Sequence, residues 1–166
     1  MITQTILKDS CTRFSEKKAI VSASKQITYK ELEDLSEKLA VLLIENGTER
    51  GDRIGVYLPK SIEEVISIFA ISKAGGIFVL LNPVLKKNQV ERIANDCEIK
   101  MLISNSHKLR NIDNVRHGFR SISRIFLFEE CVEQIPNITS KKILPVYDLL
   151  EKTKDCLIQH SCIPSG

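Results

Sequence analysis

The chain has 166 residues, 43% of them apolar and 27% charged, proportions of an ordinary globular domain that exclude a disordered chain. Twenty-four Lys and Arg against 21 Asp and Glu leave a net charge of +3, too small to demand nucleic acid or a membrane surface as partner. The longest uncharged run, residues 74–85, contains Gly75, Gly76 and Pro83 and is too short and broken to span a bilayer. Lys8 and Asp9 stand close behind the first apolar residues, where a signal peptide would need its apolar core, so a cytoplasmic location is expected. Five scattered cysteines (Cys11, Cys97, Cys131, Cys156, Cys162) with no C-x-x-C pair read as reduced thiols. The cluster Cys156, His160, Cys162 lacks a fourth ligand, and no metal site is expected there.

In chain order, Ile6, Leu7, Cys11 and Phe14 mark an amphipathic helix over 3–15. Ala19-Ile20-Val21 and Gln26-Ile27 read as two short strands about a turn. Thr28 and Glu31 form a capping box, opening a helix with Leu32, Leu35, Leu39, Leu42 and Leu43 on one face and Gly47 as a left-handed stop. Residues 53–58 read as a strand apolar on both sides, as in a sheet covered by helices on both faces. Ser61 and Glu64 suggest a second capping box, starting a helix to Lys73 that is apolar almost all round and so expected to be buried. Gly75-Gly76 ends it; Ile77 to Leu81 reads as a central strand, and Asn82-Pro83 as a turn. A helix through Val90, Ile93, Ala94 and Cys97, a strand over 99–103, helical spacing at Leu109, Ile112 and Val115, and a last clear strand over 125–128 follow. A short element near 131–135 and a helix over 147–152 precede a polar tail. Alternating strands and helices imply an α/β fold, a mostly parallel sheet with helices on both faces.

Chemistry is harder to find. The loops after the strands carry no G-x-G-x-x-G, P-loop or G-x-S-x-G pattern. Gly75-Gly76 lies between helix and strand, the wrong order for cradling phosphate. His107, His117 and His160 have no neighbouring acid or thiol. Residues 100–124 hold six Lys and Arg (Lys100, Lys108, Arg110, Arg116, Arg120, Arg124) against Asp113 alone. They form either a solvated helix face or a basic face for a phosphate-bearing ligand, an acidic carrier protein or nucleic acid; without interleaved aromatics, nucleic acid is not expected.

Three segments resemble, in order and spacing, the start of the AMP-forming adenylating enzymes, the superfamily of acyl-CoA synthetases and peptide-synthetase adenylation domains. Ile27-Thr28-Tyr29-Lys30-Glu31-Leu32 resembles its TY-x-EL motif. Gly51-Asp52-Arg53-Ile54-Gly55-Val56-Tyr57-Leu58-Pro59 is similar to its GDRV-x-(apolar)-LP strand. Residues 71–83, ending Leu80-Leu81-Asn82-Pro83, resemble its KAGA-x-(F/Y)-VP(L/I)(D/N)P motif. Leu80 stands where the family usually has proline, so this strand is expected to run longer. Leu85-Lys86, Gln89-Val90, Ile93 and Asp96-Cys97 are similar to the acyl-CoA ligase branch of exosortase-associated gene sets.

The resemblance implies that residues 1–152 are the first subdomain of an adenylating enzyme's N-terminal domain, truncated, with 153–166 a tail leading to the phosphate-loop region. It implies a structural role for Thr28, Tyr29, Glu31, Gly51, Asp52, Gly75, Gly76, Asn82 and Pro83, and it assigns no catalytic, cofactor-binding or metal residue here. The parent enzyme it implies is an ATP-dependent acyl-CoA ligase or acyl-adenylate synthetase using Mg²⁺ and CoA, with a carboxylate substrate and CoA or an acyl-carrier protein as acceptor. The family's ATP-holding motifs have no counterpart here, so the chain alone is expected to bind none of these cofactors and to be inactive. A free-standing, non-enzymatic binding or interaction module is the other reading. An uncovered all-apolar helix over 62–71 would promote self-association.

Overall fold

The computed structural model describes residues 2–22, 25–112, 118–129, 142–147 and 150. Their elements are α1 (Ile2–Phe14), β1 (Lys18–Val21), β2 (Gln26–Thr28), α2 (Tyr29–Glu45), β3 (Arg53–Tyr57), α3 (Ile62–Lys73), β4 (Ile77–Leu80), α4 (Lys87–Asp96), β5 (Met101–Ser104), α5 (Ser106–Asn111), β6 (Arg124–Leu127) and β7 (Lys142–Pro145). The expected elements near 131–135, most of the helix over 147–152, Val115 and the tail fall outside the described residues.

β1 and β2 form an antiparallel hairpin. The other five strands make one parallel sheet in the order β4-β3-β5-β6-β7. Each face is closed by helices. Leu39, Leu43, Ile66 and Ile71 of α2 and α3 bury with Ile54, Val56, Met101, Ile103 and Phe126. On the opposite face Val90, Ala94 and Leu109 of α4 and α5 bury with Tyr57, Leu102, Ile125 and Leu127. The fold class read from the sequence is therefore the observed one.

The helix starts follow the sequence closely, with one exception. Thr28 Oγ1 accepts from the Glu31 amide at 3.2 Å, and the Thr28 amide donates to Glu31 Oε2 at 2.7 Å, completing the capping box. At α3 only half of the expected box forms. Ser61 Oγ accepts from the Glu64 amide, but Glu64 Oε2 faces Lys60 Nζ at 3.5 Å, so the lysine competes for the carboxylate.

Three helices end in the same way. The second residue past the cap donates back to the carbonyl five residues earlier: Thr48 to Leu43, Gly76 to Ile71 and Ile99 to Ala94, at 2.8–3.1 Å. Each ending needs a left-handed residue after the cap. Gly47 (φ 87°) and Gly75 (φ 79°) supply it at no steric cost, whereas the third uses Glu98 (φ 49°). Arg53 holds that strained turn, bonding the Cys97 carbonyl through Nε and Glu98 Oε2 through Nη2. No glycine marks this helix end in the sequence.

Two strands depart from expectation. Among the described strands β4 lies at an edge of the sheet, not at its centre. Its pairing with β3 sets Phe78 beside Ile54 and Leu80 beside Val56, extending the α2–α3 face of the sheet sideways into solvent. Ile77, Phe78 and Leu80 are 51%, 39% and 45% exposed, and nearby Val84 is 80% exposed. β7, at the other edge, was not foreseen. It is four residues long and includes Pro145, which edge strands tolerate because they have a side with no ladder to donate to. No residue of α3 is exposed, because α1 and α2 pack on it. The exposed apolar residues of the β3–α3–β4 unit therefore lie on β4 and not on α3.

Candidate functional site

Parallel sheets present ligands with the carboxyl ends of their strands, above all where successive helices leave for opposite faces. Here that point lies between β3, whose helix α3 packs on one face, and β5, whose helix α5 packs on the other. The two strand ends are cross-tied: Ser104 Oγ, fully buried, donates to the Tyr57 carbonyl at 2.8 Å. Tyr57 also braces the next loop, its hydroxyl donating to the Leu85 carbonyl at 2.9 Å. Burial pushes its phenol above the ordinary 10.0, so it stays a donor at neutral pH. Sequence patterning hid Tyr57 within an apolar strand; only the sheet topology shows that it reaches the carboxyl edge.

Beside β3, the start of α3 carries Lys60, Ser61, Glu63 and Glu64. Tyr147 donates to Glu63 Oε1 at 3.0 Å and stacks edge-on against Phe128. Burial pushes the Glu63 carboxyl up. The opposing pull of its own backbone amide, Ser61, Tyr147 and the charge of Lys25 prevails and holds it below its usual value. A cavity of about 270 Å³ lies here against Ile20 and Val21 of the hairpin. On the other side of β3, a groove of about 580 Å³ lies between the β4–α4 connection and α5.

The nine residues singled out from the sequence fall into three places. Gly51, Asp52, Gly75 and Gly76 come together at the amino ends of β3 and β4. Gly51 N donates to Gly75 O at 2.9 Å and Ile77 N to Asp52 O at 2.8 Å. A Cβ on Gly76 would stand 3.0 Å from Ile71 Cγ2 and 3.2 Å from Asp52 O. Asp52 Oδ2 accepts from the Glu49 amide at 2.9 Å, and Oδ1 meets Lys100 Nζ at 2.6 Å. Burial raises the Asp52 carboxyl, but Lys100, the Glu49 amide and Arg53 outweigh it and hold it below the ordinary 3.8. Thr28, Tyr29 and Glu31 begin α2, Tyr29 packing on the core. Asn82 and Pro83 alone lie at the carboxyl edge, where Asn82 Oδ1 accepts from Val84 N at 3.1 Å in a side-chain-closed turn. β4 runs through Leu80, and Leu81 N still donates to Val56 O.

The basic run over 100–124 does not make one face. Lys100 and Arg124 sit at the amino ends of β5 and β6, whereas Lys108 lies on α5 beyond the carboxyl end of β5. Among the described residues no three of His, Cys, Asp and Glu come close enough to hold a metal ion. Cys11 and Cys97 are free thiols, and the Cys156, His160, Cys162 cluster lies outside the described residues. No helix among the described residues is long and apolar enough to cross a membrane.

A family model for AMP-binding enzymes matches residues 7–154. The chain belongs to the AMP-binding enzyme family. It is 36% identical over 111 residues to syringomycin synthase SyrB1 of Pseudomonas syringae pv. syringae, covering 67% of this chain and 18% of that protein. It is 37% identical over 101 residues to a long-chain-fatty-acid–CoA ligase of Bacillus subtilis, covering 61% and 18%. The anthranilate CoA ligase AuaEII, solved with anthranoyl-AMP, superposes with a TM-score of 0.80 at 24% identity over 90% of this chain and 28% of that one; at that identity the likeness establishes the fold. The chain thus spans less than a third of each of these relatives.

Proposed function

We propose that this chain is the first subdomain of the N-terminal domain of an ATP-dependent acid–thiol ligase, residues 1–152 forming the subdomain and 153–166 leading onward. In the whole enzyme a carboxylate attacks the α-phosphate of ATP, giving acyl-AMP and pyrophosphate, and CoA or a carrier-protein thiol then takes the acyl group. The observation that carries this reading is the family match across residues 7–154, joined to a spread of relatives whose names include both a CoA ligase and peptide synthases. A cytoplasmic setting accords with that chemistry. None of the relatives named above belongs by name to the exosortase-associated branch, so that finer placement rests on the run from Leu85 to Cys97 alone.

The role of these residues is scaffolding. Gly51, Asp52, Gly75 and Gly76 lace β3 to β4 at the end of the sheet opposite the ligand edge. The Thr28–Glu31 cap fixes the start of α2, and Asn82-Pro83 turns the chain at the ligand edge. The transition state of adenylation gathers negative charge and needs positioned cations and amide donors; in the whole enzyme these are expected from motifs beyond the matched residues 7–154. A pyrophosphate-exchange assay of the 166-residue chain across a broad panel of carboxylates is expected to match the no-enzyme control. Exchange above that control would overturn the scaffolding role. In the gene, the codons after Gly166 are expected to encode a Ser/Thr/Gly-rich loop containing lysine, and a stop codon there would instead favour a free-standing module.

A further inference from the structure

We propose that α1 is a strap that pivots about residues 15–17 and closes on α2 when Lys8 pairs with Glu33 and Glu37. α1 is lightly held. It packs on α2 and α3, yet among its described side chains Leu7 alone is fully buried, while Ile6 and Phe14 are exposed. A helix of 13 residues is marginal in water by itself. Its first turn holds no acidic residue. Ser10 and Thr12 turn their hydroxyls back onto the carbonyls of Ile6 and Lys8, a local bond that weakens a helix interior.

Between α1 and its neighbours the packing is incomplete. A cavity of about 300 Å³ is lined by Lys8 of α1, by Glu33, Glu37, Val41 and Ile44 of α2, and by Lys73 of α3, among others. Its charges are only half matched. Lys73 Nζ meets Glu33 Oε1 at 2.7 Å, but Glu33 Oε2 is buried with no donor. Lys8 and Glu37 have no ion pair among the described residues. A carboxylate oxygen left without a donor in the interior is costly, and Lys8 is the uncommitted ammonium on the same cavity. Glu33 and Glu37 stand four apart and share one face of α2, where one ammonium serves both. In the closed position two carboxylates and two ammonium groups balance.

The fold fixes the pivot. Tyr29 N donates to Lys17 O at 3.0 Å and Lys30 N to Ser15 O at 3.1 Å, tying the α1–β1 connection to the start of α2. Lys17 Nζ lies 4.3 Å from the centre of the Phe14 ring and holds the end of α1 to the same point. Lys8 precedes Phe14 by six residues, about 9 Å along the axis, so a tilt of about 20° carries it about 3 Å toward α2 and narrows the cavity. The strap is separate from the ligase reading above and stands or falls without it.

The test is amide hydrogen exchange of the 166-residue chain at micromolar concentration, followed peptide by peptide. α1 is expected to exchange as a unit, at least about tenfold faster than α2 and α3. Raising sodium chloride from about 0.05 to about 0.5 M should speed α1 further, because screening weakens the pair. Lys8→Met should speed α1 by about three- to fivefold at low salt, the scale of a solvent-facing ion pair. It should also remove the salt effect and leave α2 and α3 unchanged. Lys8→Arg keeps the charge and should stay within about twofold of the native chain. Glu37→Gln added to Lys8→Met should change nothing more, since Glu37 acts through Lys8. Both side chains are exposed, so these variants fold. Protection of α1 equal to that of α2, α1 exchange and salt dependence unaltered in Lys8→Met, or further speeding in the double variant would overturn the proposal.

Discussion

Glu98 holds a left-handed backbone where the two comparable helix ends use glycine. A side chain in that conformation costs roughly 1–2 kcal/mol, and its exposed ion pair with Arg53 returns roughly 0–1 kcal/mol. Glu98→Gly is therefore expected to stabilise the chain by roughly 0.5–1 kcal/mol, measured as a higher urea midpoint at unchanged slope. A lower midpoint would mean that Arg53 gains more from Glu98 than the turn loses. Asp52 gives the pH dependence. Its carboxyl is held below 3.8 in the folded chain, so its contribution is complete above that value and disappears as pH falls through the lower folded one. Lys100 is raised above 10.5 by Asp52, so its share is complete below 10.5 and is lost as pH rises through the raised value. Asp52→Ala should cost about 1–2 kcal/mol at pH 7 for the unmet Glu49 amide. The gap from the native chain should shrink below pH 4, seen in urea melts at pH 7 and pH 2.5. Sequence made Gly47 and Gly75 legible because the residue type itself announces the backbone. Glu98 and Tyr57 were not, since each owes its role to a partner far along the chain.

Among the elements, those with strong periodicity and end signals were legible: the Thr28–Glu31 box, the leucine face of α2, and the glycine stops of α2 and α3. The position of a strand within the sheet was not. An uninterrupted apolar run such as 77–81 indicates a strand covered on both faces, and it is silent on how many neighbours pair with it. Among the described residues β4 has one, and the outward groups of Phe78 and Leu80 face away from β3, because the ladder uses Ile77 and Leu81. Apolar side chains and unpaired backbone on one edge invite pairing with another chain. We therefore expect the isolated chain to self-associate through this edge. Sedimentation velocity should show mass rising with concentration, and Leu80→Lys should return it to the monomer, a lysine being a usual edge protector. A monomer at every concentration, or equal association in Leu80→Lys, would refute this. β7 was missed for the converse reason: Ile143-Leu144 is too short a run to register, and Pro145 argues against a strand until the edge position is known.

For the molecule as a whole, strand–helix alternation was enough to give a parallel sheet covered on both faces, and three spaced motifs were enough to give the family. The two ends of that sheet were not distinguishable in the sequence. Four of the nine motif residues gather at the amino end, where Gly51, Asp52, Gly75 and Gly76 interlock. The groove lined by Lys86, Lys87 and Lys108 occupies the other end, and nothing in their spacing separates Lys108 from Lys100. The lacing of Gly51 to Gly75 also bears on the order of assembly. It closes a β3–α3–β4 loop whose internal contacts fall within about thirty residues, a low loop-closure cost. On a ribosome this unit has everything it needs to set before β5 has been translated, and β5 then arrives at a strand edge already waiting for it.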